Sequence, residues 1–292
     1  MRTITCEAHA KINLALDVLG RREDGYHLVR MVMQEIGIHD SLKFTVQGIS
    51  AGSPYIALHT ESQDIPTGPD NLIVHAACVM CDAYDIRDTI DIELTKNIPV
   101  AAGLAGGSTD AACVFRALRD LYVPEIPDEE LQALALPLGA DIPYCIAGGT
   151  RLAEGIGEKL TGLAPAPRCH LVLVKPPQGI STGEIYRAID AMDHLDHPDI
   201  DGMIACIESG DLAGMAGRCS NVLESVTGKR IPLIGQIEAF LMGKGALTAR
   251  MSGSGPSVFA IFEEKERAQA ALEAFRREEA FKDCYSVCTD FV

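Results

Sequence analysis

The chain has 292 residues, 47% of them hydrophobic, enough to fill the cores of about two domains. Its formal net charge of −16 argues against a nucleic-acid or anionic-membrane surface, because such polyanions are held mainly by Lys and Arg neutralising phosphates. The first residues, Met1 to Glu7, carry no apolar stretch of signal length, and no later segment holds about 18 uninterrupted apolar residues, so a cytoplasmic location is expected.

In chain order, Ile4 to Leu19 is long and rich in alternating apolar residues and predicts a strand. Gly20 to Gly25 predicts a turn, and Met31 to Val46 the returning strand. Within the first strand Lys11 is costly in an interior position unless paired, the alternative being a residue facing solvent. Asn13 stands two residues on, which in a strand is the same face. Tyr26 and His27 fall on the turn, as an exposed tip would. Leu72 to Tyr84 reads as an amphipathic helix. Its Cys78-Val-Met-Cys81 lacks a second pair at zinc spacing and reads as buried thiols. Ile90 to Lys96 alternates with period two and predicts a half-buried strand.

That strand leads into Pro99-Val-Ala-Ala-Gly-Leu-Ala-Gly-Gly-Ser-Thr-Asp-Ala-Ala112, a glycine-rich turn joined directly to a helix expected over 108–122, with Ser108 or Thr109 as its cap. The N–H groups of a first helical turn and the positive end of the helix dipole favour phosphate there. The segment contains no Gly-Lys-Ser/Thr and is not a Walker A loop, and its G-x-x-G-G-S spacing is not the dinucleotide fingerprint. A turn capping a buried helix, with no ligand, is the alternative.

A helix over 128–138 follows, interrupted at Gly139-Ala-Asp-Ile-Pro143, where Asp141 reads equally as a helix cap. A boundary between Gly157 and Arg168 predicts two domains, residues 1–160 and 161–292. His170 to Lys175 predicts a buried strand, and Thr182 to Met192, Ile231 to Met242 and Glu264 to Glu278 predict helices. Asp190 to Asp199 concentrates His and Asp and reads as a solvated acidic loop rather than a metal site. Leu247 to Phe262 is split by a second glycine cluster, Ser252-Gly-Ser-Gly-Pro256, which taken alone is a tight hairpin turn. The order of elements predicts an α+β fold of two domains sharing a cleft.

Three blocks, Lys11-Ile-Asn-Leu14, Pro99 to Ala112 and Met251-Ser-Gly-Ser-Gly-Pro-Ser257, stand in the order seen in the GHMP kinases, a family the chain resembles over most of its length. Ala10 to His27, Met33-Gln34, His39-Asp40 and Gly139 to Pro143 resemble the branch of that family whose acceptor is a cytidine-diphosphate alcohol of the non-mevalonate route to isoprenoids. The resemblance implies a ribosomal-protein-S5-like amino-terminal domain, a ferredoxin-like carboxy-terminal domain, and transfer of the ATP γ-phosphoryl group to the alcohol's 2-hydroxyl.

It also implies roles for residues. Asp141 is the base for the attacking hydroxyl, and Lys11 holds that carboxylate ionised and offsets charge on the transferring group. Pro99, Val100, Ala101, Ala102, Gly103, Leu104, Ala105, Gly106, Gly107, Ser108 and Thr109 form the ATP loop. Tyr26 and His27 read the cytosine, with Tyr186 as a second stacking face or a helix core residue. Thr182, Asn13, Gly253, Ser254 and Gly255 complete the substrate set. Mg2+ is expected with ATP, Ser108 being the hydroxyl best suited to it. Two departures stand out: Ala105 occupies a position where the family often has glycine, and Asn221-Val-Leu-Glu224 has Val222 in place of an acid and is assigned no role. Asp110 suits the helix dipole. A homoserine- or mevalonate-type kinase, or a non-catalytic nucleotide sensor, are the alternatives. The expected partners are small molecules, without nucleic acid or membrane, in a monomer or homodimer.

Overall fold

The computed structural model describes residues 1–48, 55–192 and 194–292. They form two compact units that interleave along the chain. The first comprises Met1–Ala10, Ile38–Val100 and Ala105–Gly148; the second comprises Lys11–Gly37, Ala101–Leu104 and Gly149–Val292. Two long strands, β1 (Arg2–Arg21) and β2 (His27–Gln47), contribute residues to both.

The first unit continues with β3 (Tyr55–Thr60), α1 (Leu72–Ala83) and β4 (Thr89–Thr95). β4 pairs antiparallel with β2 and parallel with β3. That register sets Phe44 opposite Ile92 and Leu42 opposite Leu94, on a face that is fully or nearly fully buried. Asn71 caps α1 by accepting from the Ile73 N–H at 2.8 Å. Cys81 is buried as expected, but Cys78 is exposed, because it falls on the outer side of the apolar stripe.

The next helix, α2 (Gly106–Tyr122), buries Ala111, Ala112, Phe115 and Leu118 at helical spacing and packs against α1. It begins two residues before the expected start, and neither Ser108 nor Thr109 caps it. The cap position is Ala105 in the left-handed conformation, φ +58°, and no side chain bonds the first turn. The Thr109 hydroxyl instead donates to the His9 carbonyl at 2.6 Å. Then come α3 (Asp128–Ala135), a 3₁₀ turn over Leu136–Leu138 where Pro137 ends the α-helix, and α4 (Ile142–Ala147).

The second unit adds β5 (Thr150–Gly155), which pairs with β2 over Val29 to Gln34 and with β6 (Lys159–Gly162). A separate antiparallel sheet is built around β7 (His170–Lys175), the predicted buried strand, whose Leu171 to Val174 are wholly inaccessible. After β7 run α5 (Thr182–Ile189), α6 (Ile200–Ser209), α7 (Leu212–Gly217), β8 (Ser220–Asn221), α8 (Glu224–Arg230) and α9 (Leu233–Gly243). The chain closes with β9 (Thr248–Met251), β10 (Val258–Phe262), α10 (Lys265–Arg277) and β11 (Tyr285–Asp290). The order in that sheet is β11-β7-β10-β9, covered by α9 and α10.

α5 stops at Ile189, three residues short of expectation, and α9 starts only after Pro232. α6 and α7 lie in a stretch where no helix was predicted. Each is capped by an aspartate, Asp199 accepting from Gly202 N–H and Asp211 from Gly214 N–H, both at 2.9 Å.

Candidate active site

In the second unit the buried cation that the sequence singled out has a partner on its own strand. Lys11 is 5% exposed, and its Nζ donates to Asn13 Oδ1 at 2.7 Å, so the two side chains share one face of β1. The solvent-facing alternative for Lys11 is thereby excluded. The Lys11 N–H donates to the Leu104 carbonyl at 3.2 Å, and the Asn13 N–H to Ser252 Oγ at 3.3 Å. Ser252 Oγ donates in turn to the Gly103 carbonyl at 3.1 Å, and the Ser257 N–H to the Ala102 carbonyl at 3.3 Å. Residues 101–104 of the first glycine segment and the second glycine cluster are therefore stitched together beside Lys11 and Asn13.

Glycine is required where they meet. Gly103 has φ +75°, and a Cβ there would stand 2.4 Å from the Ser252 carbonyl oxygen. Gly253 has φ +58°, with its missing Cβ aimed 3.0 Å from the Gly103 carbonyl and 3.5 Å from Asn13 Oδ1. Backbone thus lines the space that side chains would otherwise fill.

The second turn is held by residues to which the sequence reading gave no role. Asn221 Nδ2 donates to the carbonyls of Met251 (2.9 Å) and Gly253 (2.8 Å), while its Oδ1 accepts from the Leu223 N–H. Glu224 Oε2 accepts from the Met251 N–H at 2.8 Å. The Thr182 and Ser254 hydroxyls lie 2.8 Å apart, and Thr227 donates to the Ser254 carbonyl. The sequence signal for Asn221 and Glu224 was the Asn-x-x-Glu segment itself, passed over because Val222 breaks its pattern.

At the β1–β2 turn the two predicted base readers differ. Tyr26 is 57% exposed, as a tip residue should be, whereas the His27 side chain is only 9% exposed. His27 Nε2 lies 2.6 Å from Asp190 Oδ1, and its ring centroid is 4.9 Å from that of Tyr186 at 39°. Tyr186 is half-buried against His27, so its helix presents it toward the predicted base reader. Beside them lies a cavity of about 360 Å³ whose walls include Val18, His27, Asp190 and His197. Asp190 also pairs with Arg21 at 3.3 Å, and His197 Nδ1 with Asp17 Oδ1 at 2.8 Å. The expected solvated loop 190–199 is thus tied down at both ends; its Asp193 lies outside the described residues.

The first unit holds the rest of the glycine segment. Ala105 adopts the left-handed conformation in which glycine is cheapest. A Cβ on Gly106 would stand 3.0 Å from Lys96 Nζ. Lys96 Nζ donates to Asp110 Oδ2 at 2.9 Å and to Asp40 Oδ2, all three side chains being buried. Asp40 Oδ1 accepts from the N–H groups of Asn97 (2.6 Å) and Ile98 (2.8 Å). Burial, reinforced by the neighbouring Asp40 charge, pushes the Asp110 carboxyl well above the usual carboxylate range, against the pull of Lys96. Asp110 is therefore a structural partner of Lys96, and the cluster fixes the approach to the loop and the start of α2. Sequence reasoning noted Asp40 and Asp110 separately and missed Lys96, because nothing local links residues 40, 96 and 110.

Asp141 occupies the cap position of α4, but its side chain makes no capping hydrogen bond, which removes the cap reading. Its carbonyl accepts from the Cys145 N–H at 3.1 Å, and Arg116 on α2 donates to the Cys145 carbonyl, fixing the short helix that carries it.

Residues 71–149 match the family description "GHMP kinases N terminal domain", and residues 198–280 match "GHMP kinases C terminal". A 4-diphosphocytidyl-2-C-methyl-D-erythritol kinase of Lachnospira eligens is 44% identical over 289 residues, covering 99% of each chain. A kinase of the same name from Clostridium kluyveri is 45% identical over 270 residues, covering 92% of this chain and 95% of the relative. Among solved structures, a 4-(cytidine 5'-diphospho)-2C-methyl-D-erythritol kinase superposes with a TM-score of 0.80 at 32% identity, over 99% of this chain and 100% of the other. The homoserine kinase of Cytophaga hutchinsonii reaches a TM-score of 0.77 at 17% identity, over 100% and 95%, and shares the fold.

Proposed function

The chain belongs to the GHMP kinases and, within them, to the 4-diphosphocytidyl-2-C-methyl-D-erythritol kinases, and from that premise we propose how its residues carry out the reaction. It is an ATP-dependent kinase that phosphorylates the 2-hydroxyl of 4-diphosphocytidyl-2-C-methyl-D-erythritol in the non-mevalonate route to isoprenoid precursors.

The observation that carries the residue assignment is the buried Lys11–Asn13 pair beside two interlocked glycine turns. Asp141 accepts the proton of the substrate's 2-hydroxyl as its oxygen attacks the γ-phosphorus. Lys11 Nζ faces the charge that develops on the transferring group, and Asn13 orients that ammonium and the acceptor. Residues Pro99 to Thr109 cradle the triphosphate. The uncapped first turn of α2 supports this, since its N–H groups have no side-chain acceptor, and so do the Cβ-free positions 103 and 106. Tyr26 and Tyr186 offer faces for the cytosine and His27 its edge, beside the cavity that His27 lines. Gly253, Ser254, Gly255 and Thr182 line the approach of the acceptor, supported by the hydroxyl pair Thr182–Ser254.

Mg2+ neutralises charge on the ATP phosphates when bound. Of the polar groups at the start of α2, the Ser108 hydroxyl suits it, whereas Asp110 is committed to Lys96. We place the domain division at residues 1–160 and 161–292; the two family matches fall on either side of it. Among the described residues no helix is long and apolar enough to cross a membrane. The reading is a cytoplasmic monomer or homodimer acting on small molecules, and the charge of −16 supports the part of it that excludes nucleic-acid and anionic-membrane partners.

The test is ADP release by purified protein given ATP with the cytidine-diphosphate alcohol, homoserine or mevalonate in turn. Turnover is expected with the first alone. Asp141→Asn is expected to lower kcat by about 10²–10⁴-fold while nucleotide binding, followed by calorimetry, persists. Near-normal turnover of that variant would remove Asp141 from the role of base.

A further inference from the structure

Among residues given no role above, the first unit gathers two imidazoles and a carboxylate on strands β1 and β2. Glu7 and His9 are two residues apart on β1 and therefore share a face, and His39 comes from β2, the neighbouring strand. His9 Nε2 lies 3.2 Å from Glu7 Oε2, and His39 Nε2 lies 3.6 Å from Glu7 Oε1. The two rings stand with centroids 4.9 Å apart at 58°, and one ligand atom from each of the three residues lies within 4.8 Å of the others.

We propose that Glu7, His9 and His39 bind a divalent transition-metal ion of the Zn2+ class. Ligands about 2.1 Å from a tetrahedral ion stand about 3.4 Å from one another, a value that the two imidazole–carboxylate distances bracket. Each carboxylate oxygen already faces a different imidazole, and with one ligand atom from each residue within 4.8 Å of the others, rotation of the exposed Glu7 carboxylate brings the three groups around one cation.

The backbone behind the ligands is fixed. Thr109 Oγ1 donates to the His9 carbonyl at 2.6 Å, and Arg116 Nη2 to the Glu7 carbonyl at 3.2 Å. His9 Nδ1 is buried with no hydrogen-bond partner among the described residues, so that ring engages its surroundings at Nε2, toward Glu7. The Glu7 side is open to solvent, which leaves a coordination position for water. Two neutral imidazoles with one carboxylate suit Zn2+, Ni2+, Co2+ or Cu2+, and disfavour Mg2+ and Ca2+, which prefer all-oxygen sets. The site is therefore chemically distinct from any Mg2+ that accompanies ATP. Its consequence is a staple across β1 and β2.

The experiment is titration of the full chain with Co2+ in excess Mg2+, read by visible absorption, followed by displacement with Zn2+. One equivalent of Co2+ is expected, without the charge-transfer band that thiolate ligands give, and with a Zn2+-dependent rise in Tm. His39→Gln and His9→Gln are expected to weaken binding at least tenfold, about the scale on which a metal site answers to loss of a supporting group, and to abolish the rise in Tm. Circular dichroism of the metal-free variants checks their folding. Should His9→Gln fail to fold, His39→Gln decides, since that imidazole is more exposed than His9. No bound metal, a thiolate band from the free cysteines, or undiminished binding in the variants would each overturn the proposal.

Discussion

The two glycine segments, 99–109 and 252–257, solve the same problem with different anchors. In the first, left-handed backbone falls on Ala101 (φ +51°) and Ala105 (φ +58°) as well as on Gly103. In the second it falls on Gly253 and Gly255 alone. A non-glycine residue in that region costs about 1–2 kcal/mol, so the first segment stores strain that its surroundings must hold. Its last part is held by buried charge, the Asp40–Lys96–Asp110 cluster beside Gly106. The second is held largely by neutral amide and hydroxyl groups on its carbonyls, from Asn221 and Thr227. Buried charges resist displacement strongly but carry a desolvation penalty; neutral anchors carry little and hold less tightly.

The largest effect is expected from breaking the charged anchor. Lys96→Met leaves two buried carboxyls without their cation and should cost about 3–5 kcal/mol in denaturant unfolding. The loss should shrink as pH falls through the range to which burial raises Asp110, because its protonated carboxyl no longer needs the ammonium; a loss independent of pH would mean that the cluster is not the anchor.

Gly103→Ala comes next, since it strikes the place where the segments meet. With a Cβ 2.4 Å from the Ser252 carbonyl, something must shift, at a cost of about 2 kcal/mol or more. Affinity for ATP and for the alcohol should fall together, and an effect on one substrate alone would show that the turns act independently.

Asn221→Ala, which removes a neutral anchor, is expected to cost about 1–3 kcal/mol and to raise KM for the alcohol more than for ATP. Equal shifts would assign Asn221 to general stability. The smallest effect belongs to Ala105→Gly: relief of left-handed strain and the added freedom of the unfolded chain nearly cancel, leaving a change within about 0.5 kcal/mol. A large stabilisation would show that more strain is stored at Ala105 than its φ implies.

Much of the fold was legible because the apolar periods are long. β1, β2, β7, α1 and α10 lie within a few residues of expectation, since alternation and helical spacing persist over many positions there. α6 and α7 escaped notice because they run for only ten and six residues; the aspartate caps and, in α6, the helical spacing of Ile200, Met203 and Ile207 were the available signals. Lys11 and Asn13 were legible as a pair from strand parity. Asn221 and Glu224 were not: the Asn-x-x-Glu spacing stood in the sequence, but the main-chain groups it satisfies lie some 30 residues away, and nothing local links the two.

By itself the amino-acid sequence determined the class of the protein: the strand that carries a costly lysine, a phosphate-type glycine turn without its own lysine, a second glycine turn, and the family to which their order points. Those are local properties, set by backbone freedom, burial pattern and spacing. Only the tertiary structure decided which buried charges are spent on architecture, as with Asp110 on Lys96, and which glycines are required by a carbonyl from a distant turn, as with Gly103. It likewise decided that neither Ser108 nor Thr109 caps α2. Each depends on a neighbour far along the chain, and the energy of a buried polar group is settled by that neighbour rather than by the residues beside it.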